Sequence, residues 1–290
     1  EIGPSWHNSK AGTPTMGGIM FIAAAILCVV AAGWRSMLAG YRTHLYVLAF
    51  ALVFGLIGFI DDFVKVKFKR NLGLTALQKL VLQLAAAGAY LALLRWNGDL
   101  TCDLYIPFWN VSFEINWIVY LIFAMFVIVG CVNAVNLTDG IDGLASGVTL
   151  PVMVFFAVTA WMWGKTTLAL LPAALAGGLA GFLVYNFHPA KVFMGDTGSL
   201  FLGGMVCGLA FALDMPLVLI LVGIIYIMET VSVIMQVTYF KLTHGKRIFR
   251  MTPIHHHFEM GGWSEEKIFT VFVGITVLMC ILAFIGVSGR

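Results

Sequence analysis

The chain has 290 residues, of which 61% are hydrophobic and only 11% are charged. Soluble globular domains carry about 45–50% apolar and about 25% charged residues, so this composition excludes a soluble domain. It also excludes an intrinsically disordered chain, because disorder requires low hydrophobicity and high net charge. The formal net charge of +3 is too small to favour a nucleic-acid partner. A polytopic helical membrane protein is the class that remains.

Nine long apolar runs predict the membrane-spanning helices. Because the runs are continuous, without apolar/polar alternation, they favour helices over barrel strands. Spans of about 20 residues each use about 180 residues, and the remainder is too short for a separate soluble domain. We therefore expect an all-α protein in which residues 1–290 form one transmembrane helical domain. In chain order, the predicted spans are 16–34, 43–60, 78–94, 117–135, 144–163, 167–185, 199–213, 215–237 and 268–287.

The distribution of lysine and arginine over the connecting segments predicts the orientation of the chain, since cytoplasmic loops carry an excess of both. The side that holds the N-terminus carries twelve of these residues and the opposite side carries five. The N-terminus is therefore predicted to be cytoplasmic and the C-terminus to be outside. The twelve are Lys10, Lys65, Lys67, Lys69, Arg70, Lys79, Lys191, Lys241, Lys246, Arg247, Arg250 and Lys267.

Polar side chains suited to chemistry gather on the same predicted cytoplasmic side. A channel would instead need polar residues through the depth of the bilayer, where only Glu229 lies well inside a span. For Glu229, a hydrogen bond within the bundle is the simpler interpretation. The pattern indicates a site at the cytoplasmic interface. Its members are Asp61, Asp62, Asp139, Asp142, Asp196, His255, His256 and His257.

Two adjacent carboxylates, Asp61 and Asp62, end the second predicted span. Two anions at a membrane boundary are costly unless cations or a metal compensate them. Mg²⁺ suits such a place, because it is typically held by one or two carboxylates plus substrate phosphates. A solvated helix end, with Lys65 as the i+4 partner of Asp61, is the alternative that the residues alone leave open.

The densest polar segment, residues 133–144, contains two asparagines and two aspartates among two glycines. The glycines permit tight turns and close backbone approach. On a helical turn, Asp139 and Asp142 would share a face. Helix capping is the structural alternative, but it accounts for one Asp rather than for all four polar side chains.

A third polar loop, residues 185–199, precedes the seventh predicted span. The N-terminus of that helix would attract phosphate. Asp196 either belongs to such a site or is an N-cap, and the spacing alone favours the N-cap. Phe193 is either a stacking face for a ligand or packing at the membrane interface.

Three consecutive histidines, residues 255–257, lie in the longest cytoplasmic connection. A strand would alternate their side chains and a helix would fan them by about 100°, so at most two converge. This argues against a zinc site of three histidines within the run. Imidazole donors near arginine and lysine fit anion binding better.

Residues 163–167, Trp-Gly-Lys-Thr-Thr, match the end of a P-loop. The glycine that should precede them is missing, and they fall on the outer side of the predicted topology. We interpret this segment as a chance match to a nucleotide-binding motif.

Five ordered motifs together resemble the phospho-N-acetylmuramoyl-pentapeptide transferase family, within the polyprenyl-phosphate sugar-1-phosphate transferase superfamily. The motifs are residues 10–18, 59–62, 133–144, 192–196 and 253–257. That family has ten membrane helices, and the one not found here is the first, which normally precedes residues 3–7. Because the sequence also begins at Glu1 rather than Met, we expect a truncated chain.

The resemblance implies transfer of phospho-MurNAc-pentapeptide from UDP-MurNAc-pentapeptide to undecaprenyl phosphate, giving lipid I and UMP in peptidoglycan synthesis. It further implies Mg²⁺ as the cofactor, a place in the bacterial cytoplasmic membrane with catalytic loops on the cytoplasmic face, and a homodimer. A site at the interface suits this reaction, because one substrate phosphate is anchored in the bilayer and the other substrate is cytosolic. Transfer between two anions depends on charge neutralisation and positioning.

The same resemblance assigns the catalytic residues, which are Asp61, Asp62, Asp196 and His255. Asp196 is expected to bind Mg²⁺. Asp61 and Asp62 would lie beside it, one of them deprotonating or orienting the lipid phosphate. A covalent phosphorylated Asp61 is the competing mechanism.

Substrate contacts are assigned in the same way. Asp139 and Phe193 are expected to contact uracil, and Gly195 to permit close approach. The nucleotide and phosphate region is expected to be lined by Lys10, Lys79, Asn136, His255 and His256. Matched positions with less specific roles are Asn133, Asp142, Asn186 and His257.

Two alternatives stand beside this prediction. A sister transferase that uses UDP-N-acetylglucosamine would share the fold and the metal. An ion-coupled transporter would place its acids inside the spans around a discontinuous helix at the midplane. In this chain the acids lie along one interface, which disfavours the transporter.

Overall fold

The computed structural model describes Lys10 and residues 12–68 and 73–290. Some residues used in the sequence predictions lie outside these ranges. They are the segment 3–7, Ala11 in the first motif, and the cations Lys69 and Arg70.

The apolar runs form helices that account for all nine predicted spans. Within the described ranges, eight helices are long and apolar enough to cross a membrane, and a bent pair supplies a ninth span. This confirms the all-α membrane class. The eight are α1 (Gly18–Leu38), α2 (Thr43–Lys67), α3 (Ala76–Trp96), α4 (Trp117–Thr138), α5 (Leu144–Met162), α6 (Thr166–Asn186), α7 (Gly195–Ala212) and α11 (Glu265–Val287).

The eighth predicted span, 215–237, is not a continuous helix. A 3₁₀ turn at Pro216–Val218 leads into the short α8 (Leu219–Val222), and α9 (Ile224–Leu242) follows at an angle of 82°. The break lies at Gly223, one of the residue types at which helices kink. A further short helix, α10 (Ile254–Glu259), follows α9 and contains the three histidines.

Two helix limits differ from prediction in ways that matter for the site. α2 continues to Lys67, so Asp61 and Asp62 lie within the helix rather than at its end. α7 begins at Gly195 with Met194 as its N-cap residue. The interpretation of Asp196 as an N-cap is therefore wrong, because Asp196 lies inside the first helical turn, where a carboxylate is favoured by the helix dipole.

A small hairpin lies where the sequence suggested a plain connecting segment. β1 (Asp103–Ile106) pairs antiparallel with β2 (Val111–Glu114), with Asp103 opposite Glu114 and Ile106 opposite Val111. Its tip is fastened to the end of α11, because the Phe108 N–H donates to the Gly286 carbonyl at 2.8 Å. The hairpin was not predicted because its alternation covers only four residues per strand.

The core of the bundle is α7, in which every residue from Thr197 to Ala212 is buried. Small residues make this possible. A Cβ at Gly203 would lie 2.7 Å from the Val132 Cα of α4, and one at Gly204 would lie 3.0 Å from the Ala51 Cα of α2. At Gly58 a Cβ would overlap the Asp196 carbonyl group. This close contact of α2 with α7 brings the carboxylates of the two helices together.

Candidate active site

Three carboxylates converge at one end of the bundle, two from α2 and one from α7. Asp61, Asp62 and Asp196 each place one oxygen within 4.8 Å of the others. Backbone and hydroxyl donors hold two of them in place. The Leu74 N–H donates to Asp61 Oδ1 at 2.6 Å, and the Thr197 N–H and hydroxyl donate to Asp62 Oδ2 at 2.9 and 2.8 Å. Both α2 aspartates are buried.

Two lysines compensate this negative charge. Lys65 Nζ lies 2.6 Å from Asp61, 2.9 Å from Asp196 and 4.0 Å from Asp62. Lys79 Nζ lies 3.0 Å from both Asp61 and Asp196. Lys65 is thus the i+4 partner of Asp61, and its ammonium group also reaches Asp196 of α7. The alternative of a solvated helix end is wrong, because Asp61 and Asp62 are buried. Five charged groups from three helices form one cluster.

Asn136, at the end of α4, orients the third carboxylate. Its side-chain amide donates to Asp196 Oδ1 at 3.0 Å and to Ser199 Oγ at 2.8 Å. The Ser199 hydroxyl in turn donates to the Gly195 carbonyl at 3.1 Å. The Asp196 side chain is therefore fixed from α4 and α7 together.

A polar cavity of about 490 Å³ opens beside the carboxylates. Eight of the predicted site residues line it: Lys10, Asp62, Asn136, Asp139, Asp142, Phe193, Gly195 and Asp196. The remaining lining residues are Thr15, Lys65, Val66, Gly140 and Ile141. The structure thus brings together residues that are separated by as many as 186 positions in the sequence.

Gly195 is required by the geometry of this cavity. Its φ is +70°, a conformation that residues with a side chain rarely adopt. A Cβ here would also lie 2.6 Å from Asp62 Oδ2 and 3.1 Å from Thr15 Oγ1. The close approach expected of Gly195 is therefore made to the chain's own carboxylate.

Asp139 and Asp142 belong to the loop between α4 and α5, not to a helical turn. The prediction that they share a helical face is therefore wrong, and neither caps α5, whose N-cap residue is Gly143. Burial, with a smaller contribution from the negative charges of Asp196, Asp62 and Asp142, raises the pKa of Asp139 to about 7. Asp139 is thus a carboxyl group that gains or loses its proton near neutral pH.

Asp142 is held in a second cluster at the edge of the cavity. Its carboxylate accepts from Lys10 Nζ at 2.7 Å and from the Ala190 N–H at 2.9 Å, and lies 3.0 Å from His188 Nδ1. Burial by itself would raise the pKa of Asp142, but these donors and the Lys10 charge lower it below its usual value. Glu265, at the start of α11, also binds Lys10 at 2.7 Å and accepts from the Asp142 N–H at 3.0 Å.

The first histidine of the run lies behind the cavity wall. His255 is fully buried, and its Nδ1 lies 3.0 Å from the Glu229 carboxylate of α9. Its Nε2 lies against Gly140, where a Cβ would overlap the ring. Glu229 therefore has a partner within the bundle, but the expected hydrogen bond is absent, since neither of its oxygens has a hydrogen-bond partner among the described residues. His255 packs behind the loop that lines the cavity.

The side chains of the other two histidines point away from the cavity, because successive side chains of a helix are rotated by about 100°. His256 Nδ1 pairs with Glu259 of the same short helix. His257 Nδ1 accepts from the Arg250 N–H at 3.1 Å. Neither lines the cavity in the part of the chain that the structure describes.

Two predicted asparagines also lie away from the cavity. Asn133 donates to Gln83 Oε1 of α3 at 2.8 Å. Asn186 accepts from the Ser146 hydroxyl at 2.8 Å and donates to the Val192 carbonyl at 2.9 Å, which ties the loop before α7 to α5 and α6. Both make contacts that position helices and loops.

Of the site residues that were not predicted from the sequence, three hold the charged clusters in place. Lys65 was considered only as a helix partner of Asp61, although its spacing from Asp61 and Asp62 was a signal for the cluster. Thr197 directly follows Asp196 in the sequence, and this position was a signal that it belongs to the cluster. Glu265 had no local signal, since its partner Lys10 is 255 residues away.

The three carboxylates fit a divalent cation. All their donor atoms are carboxylate oxygens, the ligand type that Mg²⁺ prefers. A single ammonium group, Lys65 Nζ, already lies within 4.0 Å of all three, which shows that they surround a position where positive charge is stabilised. Asp142, His188 and Glu265 also come within 4.8 Å of one another, but this set supplies only two carboxylates, with an imidazole as the third group.

Comparison with known proteins shows the family of this chain. The family model "Glycosyl transferase family 4" matches residues 44–214, more than half of the chain, and a phospho-N-acetylmuramoyl-pentapeptide-transferase signature matches residues 10–22. Proteins named phospho-N-acetylmuramoyl-pentapeptide-transferase are similar over nearly the whole chain. Those of Clostridium acetobutylicum and Caldanaerobacter subterraneus are each 47% identical, over 99% of this chain and 88% of their own length. That of Listeria monocytogenes is 45% identical, over 98% and 88%.

The signature covers Lys10 and the start of α1, and the broader model covers the helices that carry all three carboxylates. Identity of 45–47% along nearly the whole chain extends the match to α10 and α11. The chain belongs to the phospho-N-acetylmuramoyl-pentapeptide transferase family.

Proposed function

We propose that this protein transfers phospho-MurNAc-pentapeptide from UDP-MurNAc-pentapeptide to undecaprenyl phosphate, releasing UMP and forming lipid I for peptidoglycan synthesis. The observation that carries the proposal is the cluster of three carboxylates and two lysines beside a polar cavity at the end of the spans. A cytosolic nucleotide and a bilayer-anchored phosphate can meet only at such a boundary. The names of the relatives point to the same reaction.

Mg²⁺ is the proposed cofactor, with Asp61, Asp62 and Asp196 as the residues that would hold it. When bound there, it would supply positive charge to the diphosphate of the donor. Lys65 and Lys79 each lie within 3.0 Å of Asp61 and Asp196 and supply positive charge from the protein itself. Preorganised charge of this kind is the main contribution that a protein makes to phosphoryl transfer.

The nucleotide would occupy the polar cavity. Phe193 is half-buried in its wall and offers one ring face for uracil, and Asp139 offers a carboxyl for the polar edge of the base. Lys10 and Asn136 place donors near the phosphates. This arrangement would leave the sugar-linked phosphorus next to the carboxylate cluster.

The contacts of Asp61 favour direct transfer over a covalent intermediate. Asp61 is buried and does not line the cavity, and its two oxygens are engaged by the Leu74 N–H and by Lys65 and Lys79. Asp62 lines the cavity and is the better placed to accept a proton from the lipid phosphate. In the direct reaction, an oxygen of the lipid phosphate forms a bond to the sugar-linked phosphorus, the diphosphate bridge breaks, and UMP leaves.

The test of the proposal is UMP release by the purified full chain with UDP-MurNAc-pentapeptide and undecaprenyl phosphate, with and without Mg²⁺. Metal-dependent release together with a lipid-linked muramoyl product supports the donor, the acceptor and the cofactor at once. Release with UDP-N-acetylglucosamine instead would assign the protein to the sister transferases. Folded protein that is inactive with both donors contradicts the proposal.

We also propose that the protein lies in the bacterial cytoplasmic membrane with this site on the cytoplasmic face. Single cysteines at Lys67 and Lys246, introduced into a cysteine-free background, should react with an impermeant maleimide only after the cells are opened. A cysteine at Trp109, on the hairpin, is the matched control and should react in intact cells. The reverse pattern would overturn the orientation.

A further inference from the structure

A second polar cavity, of about 600 Å³, lies at the opposite end of the bundle from the carboxylates. It is formed where the end of α1 meets the starts of α2 and α6. Nothing in the proposed transfer reaction uses this cavity. Its lining includes Arg35, Thr43, His44, Asp99, Lys165 and Thr166.

The cavity contains more donors than its surroundings satisfy. His44 is 1% exposed, and its Nε2 has no hydrogen-bond partner among the described residues. A buried polar atom without a partner is costly, and so it points to a ligand or water that completes it. Within the same described ranges, Arg35 and Lys165 have no carboxylate within 4.0 Å; the Arg35 guanidinium stacks on Trp34, and the Lys165 ammonium lies 3.5 Å from the Ala212 carbonyl.

The Gly-Lys-Thr-Thr segment, rejected above as a nucleotide-binding motif, forms one wall of this cavity. Gly164 has a φ of +71°, and Thr166 begins the 21-residue helix α6. The free N–H groups of a helix start favour a bound phosphate oxygen. The start of α6 therefore directs backbone donors toward this wall of the cavity.

The charge of the lining limits the ligand. The lining contains two cations, Arg35 and Lys165, and one carboxylate, Asp99. Both Asp99 oxygens lie 3.0 Å from the Thr43 hydroxyl. The lining is therefore complementary to a ligand that has a single negative charge and also has hydrogen-bond donors for Asp99. A phosphodiester with a hydroxyl-bearing headgroup meets both conditions.

The surroundings indicate that this phosphodiester is attached to acyl chains. Leu27, Val30, Trp34 and Leu38 are exposed along one face of α1 that descends from the cavity. Their spacing of three and four residues gives a continuous apolar stripe. A phospholipid whose headgroup sits in the cavity would lay its chains along this stripe.

We propose that this cavity is a binding site for the headgroup of an anionic glycerophospholipid, in the leaflet opposite the transfer site. Arg35 and Lys165 bind the phosphate together with the start of α6, and His44 donates to the same group. Asp99 accepts from the headgroup hydroxyls. The bound lipid would tie α1, α2 and α6 together at this end of the bundle.

Phosphatidylglycerol is the probe for this site. The full chain is reconstituted in nanodiscs of phosphatidylcholine with a minor fraction of phosphatidylglycerol, extracted in mild detergent, and the retained lipid is counted by native mass spectrometry. We expect retained phosphatidylglycerol to fall about fivefold for each of Arg35→Gln and Lys165→Gln, since each basic residue contributes this much at a lipid surface. His44→Phe, which keeps the ring volume, should also reduce retention.

Arg42→Gln is the matched control, because Arg42 is an exposed cation at the same end of the bundle but does not line the cavity. It should retain lipid as the wild type does. Wild-type retention in the Arg35→Gln/Lys165→Gln double variant would overturn the proposal, as would equal retention of phosphatidylcholine. Displacement of the lipid by sn-glycerol 3-phosphate at the same concentration would show a site for soluble phosphates instead. UMP release in detergent should be unchanged in all these variants.

Discussion

Two clusters of acidic side chains lie a short distance apart at the active end of this protein, and each has three potential metal ligands within 4.8 Å. In the first, Asp61, Asp62 and Asp196, three carboxylates surround one point and are bridged by lysine ammonium groups. In the second, Asp142, His188 and Glu265, the oxygens are taken up by Lys10 and by backbone N–H groups.

The difference shows that spacing alone does not define a cation site. The first cluster offers three carboxylates, the ligand type that Mg²⁺ prefers, whereas the second offers two carboxylates and an imidazole. The second joins the residue Lys10, the α4–α5 loop, the α6–α7 loop and α11, and each contact serves to position the others. We therefore interpret the first as the reaction centre and the second as the support of the nucleotide cavity.

The largest effect is expected for Asp196→Asn. This change removes one negative charge from the reaction centre while keeping the shape of the side chain. We expect turnover to fall about 10²–10³-fold, the usual size of losing one preorganised electrostatic group. UMP release and Tm should be measured together, with Asp103→Asn of the hairpin as the control carboxylate. Near wild-type turnover would remove Asp196 from the reaction centre.

A smaller loss is expected for Glu265→Gln in the second cluster. The amide leaves Lys10 with one carboxylate instead of two and weakens the hold on the Asp142 N–H. Loss of such supporting contacts typically costs about 10-fold or more in affinity or activity. We expect the loss in Glu265→Gln to appear mainly as a higher KM for the UDP-linked donor. Glu266→Gln, on the next residue, is the control; an equal loss of kcat in Glu265→Gln would place Glu265 in the reaction centre instead.

Phe193→Ala should weaken nucleotide binding without changing the chemical step. Losing an aromatic stacking contact corresponds to about a 3- to 10-fold weaker Kd. Calorimetric titration of UMP into the full chain measures it directly, and Phe193→Tyr should restore binding. Phe187→Ala is a suitable control, because Phe187 packs on Phe269 rather than lining the cavity. An unchanged Kd in Phe193→Ala would show that the ring is only packing.

The pH dependence of stability tests the charge that surrounds Asp139. The pKa of Asp139 is about 7 in the folded protein against 3.8 for a free carboxyl. The folded state therefore holds a proton that the unfolded state releases above pH 4, so this contribution to stability is complete below pH 4 and is lost as pH rises toward 7. In metal-free buffer, Tm of the wild type should fall from pH 5 to pH 8 more than that of Asp139→Asn. Parallel Tm profiles would contradict the raised pKa.

Adding Mg²⁺ sharpens the same measurement. Part of the pKa rise of Asp139 comes from the charges of Asp196 and Asp62. A cation held by these carboxylates would lower the pKa of Asp139, so the wild-type Tm profile should become flatter. An unaltered profile at saturating Mg²⁺ would indicate that the cation binds away from these carboxylates.

Local signals in the chain were sufficient for the spans and for much of the site. An apolar run of about 20 residues is sufficient to specify a membrane helix, because the transfer free energy of each residue adds along the segment. The placement of the motifs at one end of the spans followed from the same runs. Eight predicted residues, among them Asp62, Asp139 and Phe193, accordingly line one cavity.

Partners far apart in sequence could not be predicted, because they depend on how the helices pack. Asn133 and Asn186 are polar residues within sequence motifs that predict ligand binding, yet they form hydrogen bonds with Gln83 and Ser146 of neighbouring helices. The short hairpin depends likewise on a distant contact, since the Phe108 N–H at its tip donates to the Gly286 carbonyl of α11.

The sequence by itself determined the membrane class, the nine spans and the motif set that identifies the family, since each of these depends on neighbouring residues or on their order. Only the tertiary structure decided that Lys65 joins Asp61 to Asp196 and that Glu265 fastens Lys10 across 255 positions. The physical reason is the close approach of α2 and α7 at Gly58, which sets the distances between carboxylates. Helix packing, not local sequence, decides which charges share a site.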